Sequence, residues 1–155
     1  MKSQKSLIVI ILFAISTSLI NAQNPYISPG FRICHTFGEG LTIGVEISIG
    51  VFGEDTPYHL SVAAGNNWII SKKMNIVYVA GQGGYTFAGA SIGKAFLFEE
   101  NAKKSGFRYS VYGGLGFALL SYESMQFADD DKQFKTFGIL GKLPIILKDE
   151  KLWWL

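Results

Sequence analysis

The residues best suited to metal or nucleophilic chemistry in this sequence are one cysteine and two histidines. Cys34 and His35 are adjacent, and His59 follows in a later segment. Thiolate and imidazole groups bind zinc, and a cysteine activated by a histidine can be a nucleophile. Neighbouring residues of a strand point to opposite faces, so Cys34 and His35 cannot act together from a regular strand. Three ligands also fall short of a closed zinc site, and we predict no metal, no cofactor and no catalytic residue.

Two other groups of residues have the composition of ion-binding loops. Glu99-Glu100 and Asp129-Asp130-Asp131 offer carboxylates, but they lack the glycine and the terminal glutamate of a known calcium loop. The glycine-rich segments 81–84 and 113–116 do not open a helix, so they lack the helix N-terminus that phosphate binding uses. We interpret the acidic runs as solvated hairpin tips.

A strict alternation of apolar with small or polar residues runs through LTIGVEISIGVF, residues 41–52. A period of two predicts a strand with two different faces. The even positions carry mainly Thr, Gly, Glu and Ser, whereas the odd positions are Leu41, Ile43, Val45, Ile47, Ile49 and Val51.

Similar runs recur along the chain, and none keeps a helical period of 3.6 residues. Short connections separate them, which favours pairing between neighbours in sequence. Eight such strands can close on themselves. The sequence therefore predicts an all-β fold, a single eight-stranded antiparallel up-and-down (meander) barrel. The predicted strands are residues 31–37, 41–52, 58–66, 74–81, 88–98, 107–119, 121–128 and 133–143.

The turn between the first two strands sets their register. In both strands the apolar residues have odd numbers. Residues that lie opposite each other share a face, so their two numbers must add to an even value. We predict Glu39 at the tip of the turn, which places Arg32 directly opposite Glu46.

The first 22 residues have the three parts of a secretory signal peptide. Lys2 and Lys5 precede an apolar run at 7–15, and Ala22 ends a short exit segment. The run is shorter than the roughly 20 residues of a spanning helix. We predict a signal peptide at 1–22, a barrel domain at 23–147 and a short C-terminal tail at 148–155.

Charge and cysteine content narrow the expected partners. The chain has 14 Lys and Arg against 12 Asp and Glu, a net charge of +2, without a basic stripe interleaved with aromatic residues. Nucleic acid is therefore not an expected partner. A single cysteine in an exported chain excludes an intramolecular disulfide. We expect a monomer that is stabilised by packing or by a surrounding lipid phase.

Each alternating strand has an apolar face and a face of small or polar residues. The small residues indicate which of these two faces meets the surroundings of the barrel. They make a poor solvent coat but suit the narrow interior of an eight-stranded barrel. We therefore predict a barrel in the outer membrane, with lipid as its partner. Lys94 counts against this because it shares the register of Ile92 and Phe96, unless a bulge near Gly89 or Gly93 turns it inward. The predicted lipid-facing residues are Leu41, Ile43, Val45, Ile47 and Ile49.

The alternative is a soluble periplasmic or secreted barrel in which those same five residues line a pocket for an apolar ligand. Aromatic residues near strand ends would be packed in its core or rim, whereas in a membrane barrel they would form interfacial girdles. These aromatic residues are Phe31, Tyr58, Phe98, Phe107, Tyr122 and Phe127.

Several polar residues fall on the small-residue face. We predict that Arg32 and Glu46 form a desolvated ion pair in the lumen, joined by Arg108, His59 and Tyr112. Because an unpaired buried charge is strongly destabilising, we interpret this network as structural. Eight strands leave no room for an open pore.

Four segments carry a resemblance to a known group of proteins: PGFRICHTFGEGLTIGVEISIG, SIGKAFLFEE, FRYSVYGGLGFALLSYE and GKLPI. Their glycine–aromatic strand patterns cover nearly all of the mature chain and resemble the small exported β-barrel proteins of Bacteroidota, which are mostly uncharacterised. The resemblance implies an eight-stranded outer-membrane-type fold and carries over no catalytic residue. The expected function is that of an outer-membrane β-barrel protein with a structural or surface-interaction role, without catalysis and without an open pore.

Overall fold

The computed structural model describes residues 23–53, 58–85, 87–99, 102–128 and 133–147. The predicted signal peptide, the tail at 148–155 and the acidic run at 129–131 lie outside the described residues. Within the described ranges the helical segment is a short 3-10 turn, Ile70–Lys72, and no helix is long and apolar enough to cross a membrane. The strands are β1 (Gln23–Thr36), β2 (Gly40–Gly53), β3 (Tyr58–Ile69), β4 (Met74–Tyr85), β5 (Ala88–Glu99), β6 (Ala102–Leu115), β7 (Ala118–Phe127), β8 (Gln133–Lys142) and β9 (Ile145–Ile146).

The long strands form a closed antiparallel barrel. Each pairs with its neighbour in sequence, and β1 pairs with both β2 and β8 to close the sheet. The prediction of an all-β, eight-stranded antiparallel meander barrel is confirmed. We call the end with the turn between β1 and β2 the upper end. The end where β1 begins is the lower end.

β1 is longer than the sequence predicts, because it continues through two prolines. The carbonyl oxygens of Pro25 and Pro29 accept hydrogen bonds from the backbone N–H groups of Leu147 and Leu143. The missing proline N–H groups therefore fall on the side of β1 that faces β8 and β9. β8 pairs only with Gly30–Thr36, and pairing on that side resumes at β9. Proline is tolerated where a strand ladder is already interrupted.

The tip of the first turn is Gly38, so the prediction of Glu39 at the tip is wrong. Thr36 pairs with Gly40, and the Glu39 N–H donates a 3.0 Å hydrogen bond to the Thr36 carbonyl oxygen. Gly38 has a φ of 77°. It occupies the third position of this turn, where a type II turn requires a positive φ and therefore favours glycine.

The register of the first hairpin differs from the prediction by two residues. Arg32 lies opposite Gly44, and Glu46 lies opposite Gly30. A shift of two residues leaves every side chain on its predicted face. Arg32 and Glu46 are therefore diagonal neighbours rather than a direct pair, and both still point into the lumen.

The turn between β6 and β7 comes earlier than predicted, at Gly116 and Phe117 rather than near 119–121. Gly116 has a φ of 59°, which glycine adopts without strain. β6 consequently ends at Leu115, and in β7 the odd-numbered residues point inward. Phe127, expected among the interfacial aromatics, is buried inside against Phe134, with ring centroids 5.5 Å apart.

The outer surface carries most of the large apolar side chains. In β2 the exposed fractions run from 41% at Ile43 to 61% at Ile49, while the even-numbered residues from Thr42 to Ser48 are buried. β5 keeps a continuous register through Gly89 and Gly93, so it has no bulge and Lys94 points outward. All five predicted lipid-facing residues are on this outer surface: Leu41, Ile43, Val45, Ile47 and Ile49. They do not line an interior pocket, and that version of the soluble alternative is wrong.

The upper half of the lumen is filled by apolar side chains. β4 contributes most to this filling, because Met74, Ile76 and Tyr78 point inward while Val77 and Val79 point outward. Both faces of β4 are apolar, so the alternation alone does not distinguish them. The upper apolar cluster consists of Ile69, Met74, Ile76, Tyr78, Ala95, Leu97, Met125, Phe127 and Phe134.

The seam between β1 and β8 depends on a close approach at Gly138. A Cβ atom there would clash with the Cys34 Cα and the Ile33 carbonyl oxygen, which are backbone atoms. We predict that Gly138→Ala lowers the free energy of unfolding by roughly 1–3 kcal/mol through overpacking. The matched control is Gly81→Ala, whose Cβ would meet nothing within 4 Å. Urea unfolding followed by circular dichroism tests this, and equal midpoints for the two variants would contradict a tight seam.

Candidate functional site: a charged network in the lumen

Five strands each place one charged side chain in the middle of the lumen. β1 supplies Arg32, β2 Glu46, β6 Arg108, β7 Glu123 and β8 Lys142. Each sits at an inward position of an alternating strand, as the burial patterns show. Four of them are at least 96% buried, and the Lys142 side chain is 14% exposed. We call these five residues the lumen network.

Glu123 is bonded to polar side chains from three strands. The Arg32 Nη1 atom donates to Glu123 Oε2 at 2.6 Å, and the Arg108 guanidinium forms an ion pair with the same oxygen. The Asn67 side-chain amide donates to the other oxygen, Oε1, at 3.1 Å. Two guanidinium groups therefore share this one carboxylate, which ties β1, β3 and β6 to β7.

Glu46 is bonded to a second set of strands. Its Oε1 atom lies 2.6 Å from Lys142 Nζ, and its Oε2 atom accepts a 2.6 Å hydrogen bond from the Tyr78 hydroxyl. Arg32 reaches Oε2 with its Nη2 atom at 3.4 Å, so this guanidinium bridges the two acids. Ser48 and Gln82 donate to Oε1 at 3.1 and 3.0 Å.

Tyr78 is in contact with both guanidinium groups. The Arg108 Cζ atom lies 4.0 Å from the centre of the tyrosine ring, and the Arg32 Cζ atom lies 5.5 Å from it. A cation near an aromatic face is attracted by the ring quadrupole, more strongly where water is excluded. The same residue bonds Glu46, so Tyr78 links the upper apolar cluster to the charges.

The predicted network residues form two connected groups. Arg32, Glu46 and Arg108 belong to the lumen network. His59 and Tyr112 lie nearer the lower end, where His59 Nε2 and the Tyr112 hydroxyl are 2.8 Å apart. The Lys142 ammonium joins the two groups, because its Nζ atom lies 5.6 Å from the centre of the Tyr112 ring.

Sequence reasoning missed Glu123, Lys142 and Tyr78. Glu123 had a usable signal, because it is a lone acid in an apolar strand in the same way as Glu46. The misplaced turn before β7 hid its inward orientation. Lys142 shares the inward face of β8 with Thr136 and Leu140, but it lies close to Pro144 at the predicted strand end.

Cys34, His35 and His59 do not form a common site. The free thiol of Cys34 is buried in the lumen, whereas His35 is exposed on the outer surface. Within the described ranges, no three His, Cys, Asp or Glu side chains are grouped so that they could hold a metal ion.

The lumen network acts as a set of mutually neutralising charges. Three cations face two carboxylates, which leaves one positive charge in excess within the network. Burying charges is costly, and the attraction between them offsets that cost only when geometry and hydrogen bonding are good. Both carboxylates here accept at least two hydrogen bonds, which fixes their positions, while the buried Nε atoms of Arg32 and Arg108 have no hydrogen-bond partner among the described residues.

The comparisons with known proteins identify no relative. No protein-family model matches the sequence, and no curated protein matches it.

Removing one carboxylate should destabilise the barrel. We predict that Glu123→Gln lowers the free energy of unfolding by roughly 3–5 kcal/mol, because Arg32 and Arg108 would lose their shared countercharge. The control is Glu99→Gln, since Glu99 pairs with Lys104 at 4.0 Å and is partly exposed. This control should change stability by about 1 kcal/mol or less. Denaturant midpoints measure both effects, and equal losses would show that the buried network does not hold the barrel together.

Proposed function

We propose that this chain is an outer-membrane β-barrel protein with a structural or surface-interaction role, without catalysis and without an open pore. The observation that carries the proposal is the inverted distribution of polarity. The charged side chains of the network are inside, and most of the large apolar side chains are outside. A soluble barrel has the opposite arrangement, because water solvates its outer face.

The apolar outer surface extends around the barrel rather than forming one patch. Soluble monomers rarely expose contiguous apolar patches larger than a few hundred Å². Outward residues that are at least half exposed occur on all eight long strands: Phe31, Ile33, Val45, Ile49, Val62, Tyr85, Ile92, Phe107, Val111, Leu115, Leu120 and Ile139. Hydrocarbon chains of lipid would cover such a surface.

Strand length and aromatic placement support the same proposal. The eight long strands have 10 to 14 residues, and a tilted membrane strand needs about 9–11. Exposed aromatic side chains occur near both ends of the barrel, as in the girdles of outer-membrane barrels. Phe37, Trp68 and Phe98 are at the upper end, and Tyr58, Tyr85 and Phe117 are at the lower end.

The polar residues of the outer surface gather toward the upper end, where Lys103, Ser105, Gln126 and Lys135 are exposed. Lys94 is deeper, between Val79 of β4 and Phe107 of β6. A lysine in this position can extend its ammonium along the strand toward the polar end while its methylene groups remain in the apolar layer.

The filled upper and middle parts of the lumen support a role without transport. The upper apolar cluster and the lumen network occupy the upper and middle lumen between them. The charged side chains are bonded to one another, which favours a structural role for them. Interaction with a partner would then involve the loops, and we propose a monomer surrounded by lipid, consistent with the resemblance to exported barrels of Bacteroidota.

Envelope fractionation tests the location. Full-length protein expressed with its own N-terminal segment should be recovered in the outer-membrane fraction. Its gel mobility should shift after boiling, because a closed barrel resists detergent until heated. Recovery in the soluble periplasm or medium with no heat shift would refute the proposal.

Charge substitution at two depths tests which surface meets lipid. Ile47 lies in the middle of β2, and Leu115 ends β6 at the lower rim with 83% exposure. We predict that Ile47→Arg lowers stability in lipid bilayers by roughly 2–4 kcal/mol, and that Leu115→Arg lowers it by about 1 kcal/mol or less. Both would be nearly neutral on a water-exposed surface. Urea unfolding from liposomes measures the difference.

A further inference from the structure

A cavity of about 410 Å³ lies in the lower part of the lumen, on the opposite side of the lumen network from the upper apolar cluster. Its volume is within the range of small-molecule sites, roughly 300–1,000 Å³. Phe87 and Phe117 lie at its mouth, and each is 45% exposed. Apart from Phe117, the residues that the proposed membrane role uses are elsewhere, on the outer surface.

Aromatic side chains line one wall of this cavity as a continuous series across four strands. Tyr26 of β1 packs on Phe52 of β2, with ring centroids 4.3 Å apart. Phe52 contacts His59 of β3 at 6.1 Å, and His59 stacks on Tyr112 of β6 at 6.2 Å. This wall offers ring faces and edges to a flat or aliphatic molecule.

The inner end of the cavity is polar and positive. Lys142 lines it and is the most exposed member of a network that has one positive charge in excess. The remaining buried acid among the described residues, Glu39, belongs to the turn at the opposite end. Ser28 also lines the cavity, and its hydroxyl is buried without a hydrogen-bond partner among the described residues.

The bonding of Lys142 leaves a way for an anion to bind. Its ammonium contacts the Glu46 carboxylate and two neutral acceptors, Gln82 Oε1 at 2.6 Å and Ser48 Oγ at 3.1 Å. A carboxylate that replaced one of these neutral acceptors would form a stronger hydrogen bond, because both the donor and the acceptor would then be ionised. It would also offset the excess charge and could bond the Ser28 hydroxyl.

We propose that this cavity binds a small apolar monocarboxylate, with its carboxylate toward Lys142 and Ser28 and its apolar body against the aromatic wall. The site does not depend on whether the outer surface meets lipid. It differs from the earlier soluble alternative, because its lining comes from inward residues at the lower end.

Calorimetric titration with a pair of matched probes tests the proposal. Naphthalene-2-carboxylate and naphthalene-2-carboxamide have the same ring system and differ in charge. Each is titrated into the folded full-length protein in detergent, with detergent alone as the baseline. The carboxylate should bind at least tenfold more tightly than the amide, since only the carboxylate compensates the positive charge.

Two variants and a control locate the binding. Lys142→Met should remove the tenfold preference for the carboxylate, and Ser28→Leu should abolish binding of both probes by placing a bulky apolar side chain where their polar groups would sit beside Lys142. Lys94→Met removes a lysine from the outer surface and should change neither affinity. If Lys142→Met does not fold, as judged by circular dichroism, titration of the two probes into the native protein and into Ser28→Leu still tests the proposal. Equal affinity for the two probes, or binding that survives Ser28→Leu, would overturn the proposal.

Discussion

The burial of two carboxylates among three cations is the interaction on which the rest of the barrel depends. Glu46 and Glu123 come from β2 and β7, and Arg32 from β1 bridges them. Since β1 is the strand that closes the sheet, the same ion pairs that neutralise the lumen also draw β2, β7 and β8 around the seam. Pairing on the β8 side of β1 is interrupted near the prolines, so contacts through the interior compensate for a weaker backbone ladder there.

The charges also divide the interior into two unlike regions. Above them the upper apolar cluster fills the lumen with large side chains. Below them the aromatic wall and Lys142 enclose a cavity. An eight-stranded barrel has an interior just wide enough for side chains to fill. Glycine is required where larger residues come close, as at Gly65, where a Cβ would clash with the Tyr78 ring.

The sequence was sufficient for the architecture because alternation and turn residues are local signals. The alternation of odd and even positions assigned the faces of β1 and β2 correctly. The predicted register was wrong by two residues, but such a shift leaves each side chain on the same face. The interior was less predictable. Because residue 117 is apolar, the pattern did not indicate the two-residue turn before β7, and the inward orientation of Glu123 was missed. Because both faces of β4 are apolar, the pattern did not indicate that Tyr78 points inward. The contacts of Glu123 with Arg32 and Asn67 join residues far apart in sequence, so no local pattern could reveal them.

The distribution of polarity relates the interior to the surroundings of the barrel. With most of its network charges compensated inside and most of its large apolar residues outside, the fold gains little from the hydrophobic effect while its outer surface meets water. A covering apolar phase would remove that surface from water and also leave the buried ion pairs intact. The network and the outer surface are therefore complementary. Charge compensation allows polar residues to occupy inward positions, and the apolar residues that alternate with them then face outward. The excess positive charge at the lower side of the network is the part of this arrangement that structural stability alone does not explain.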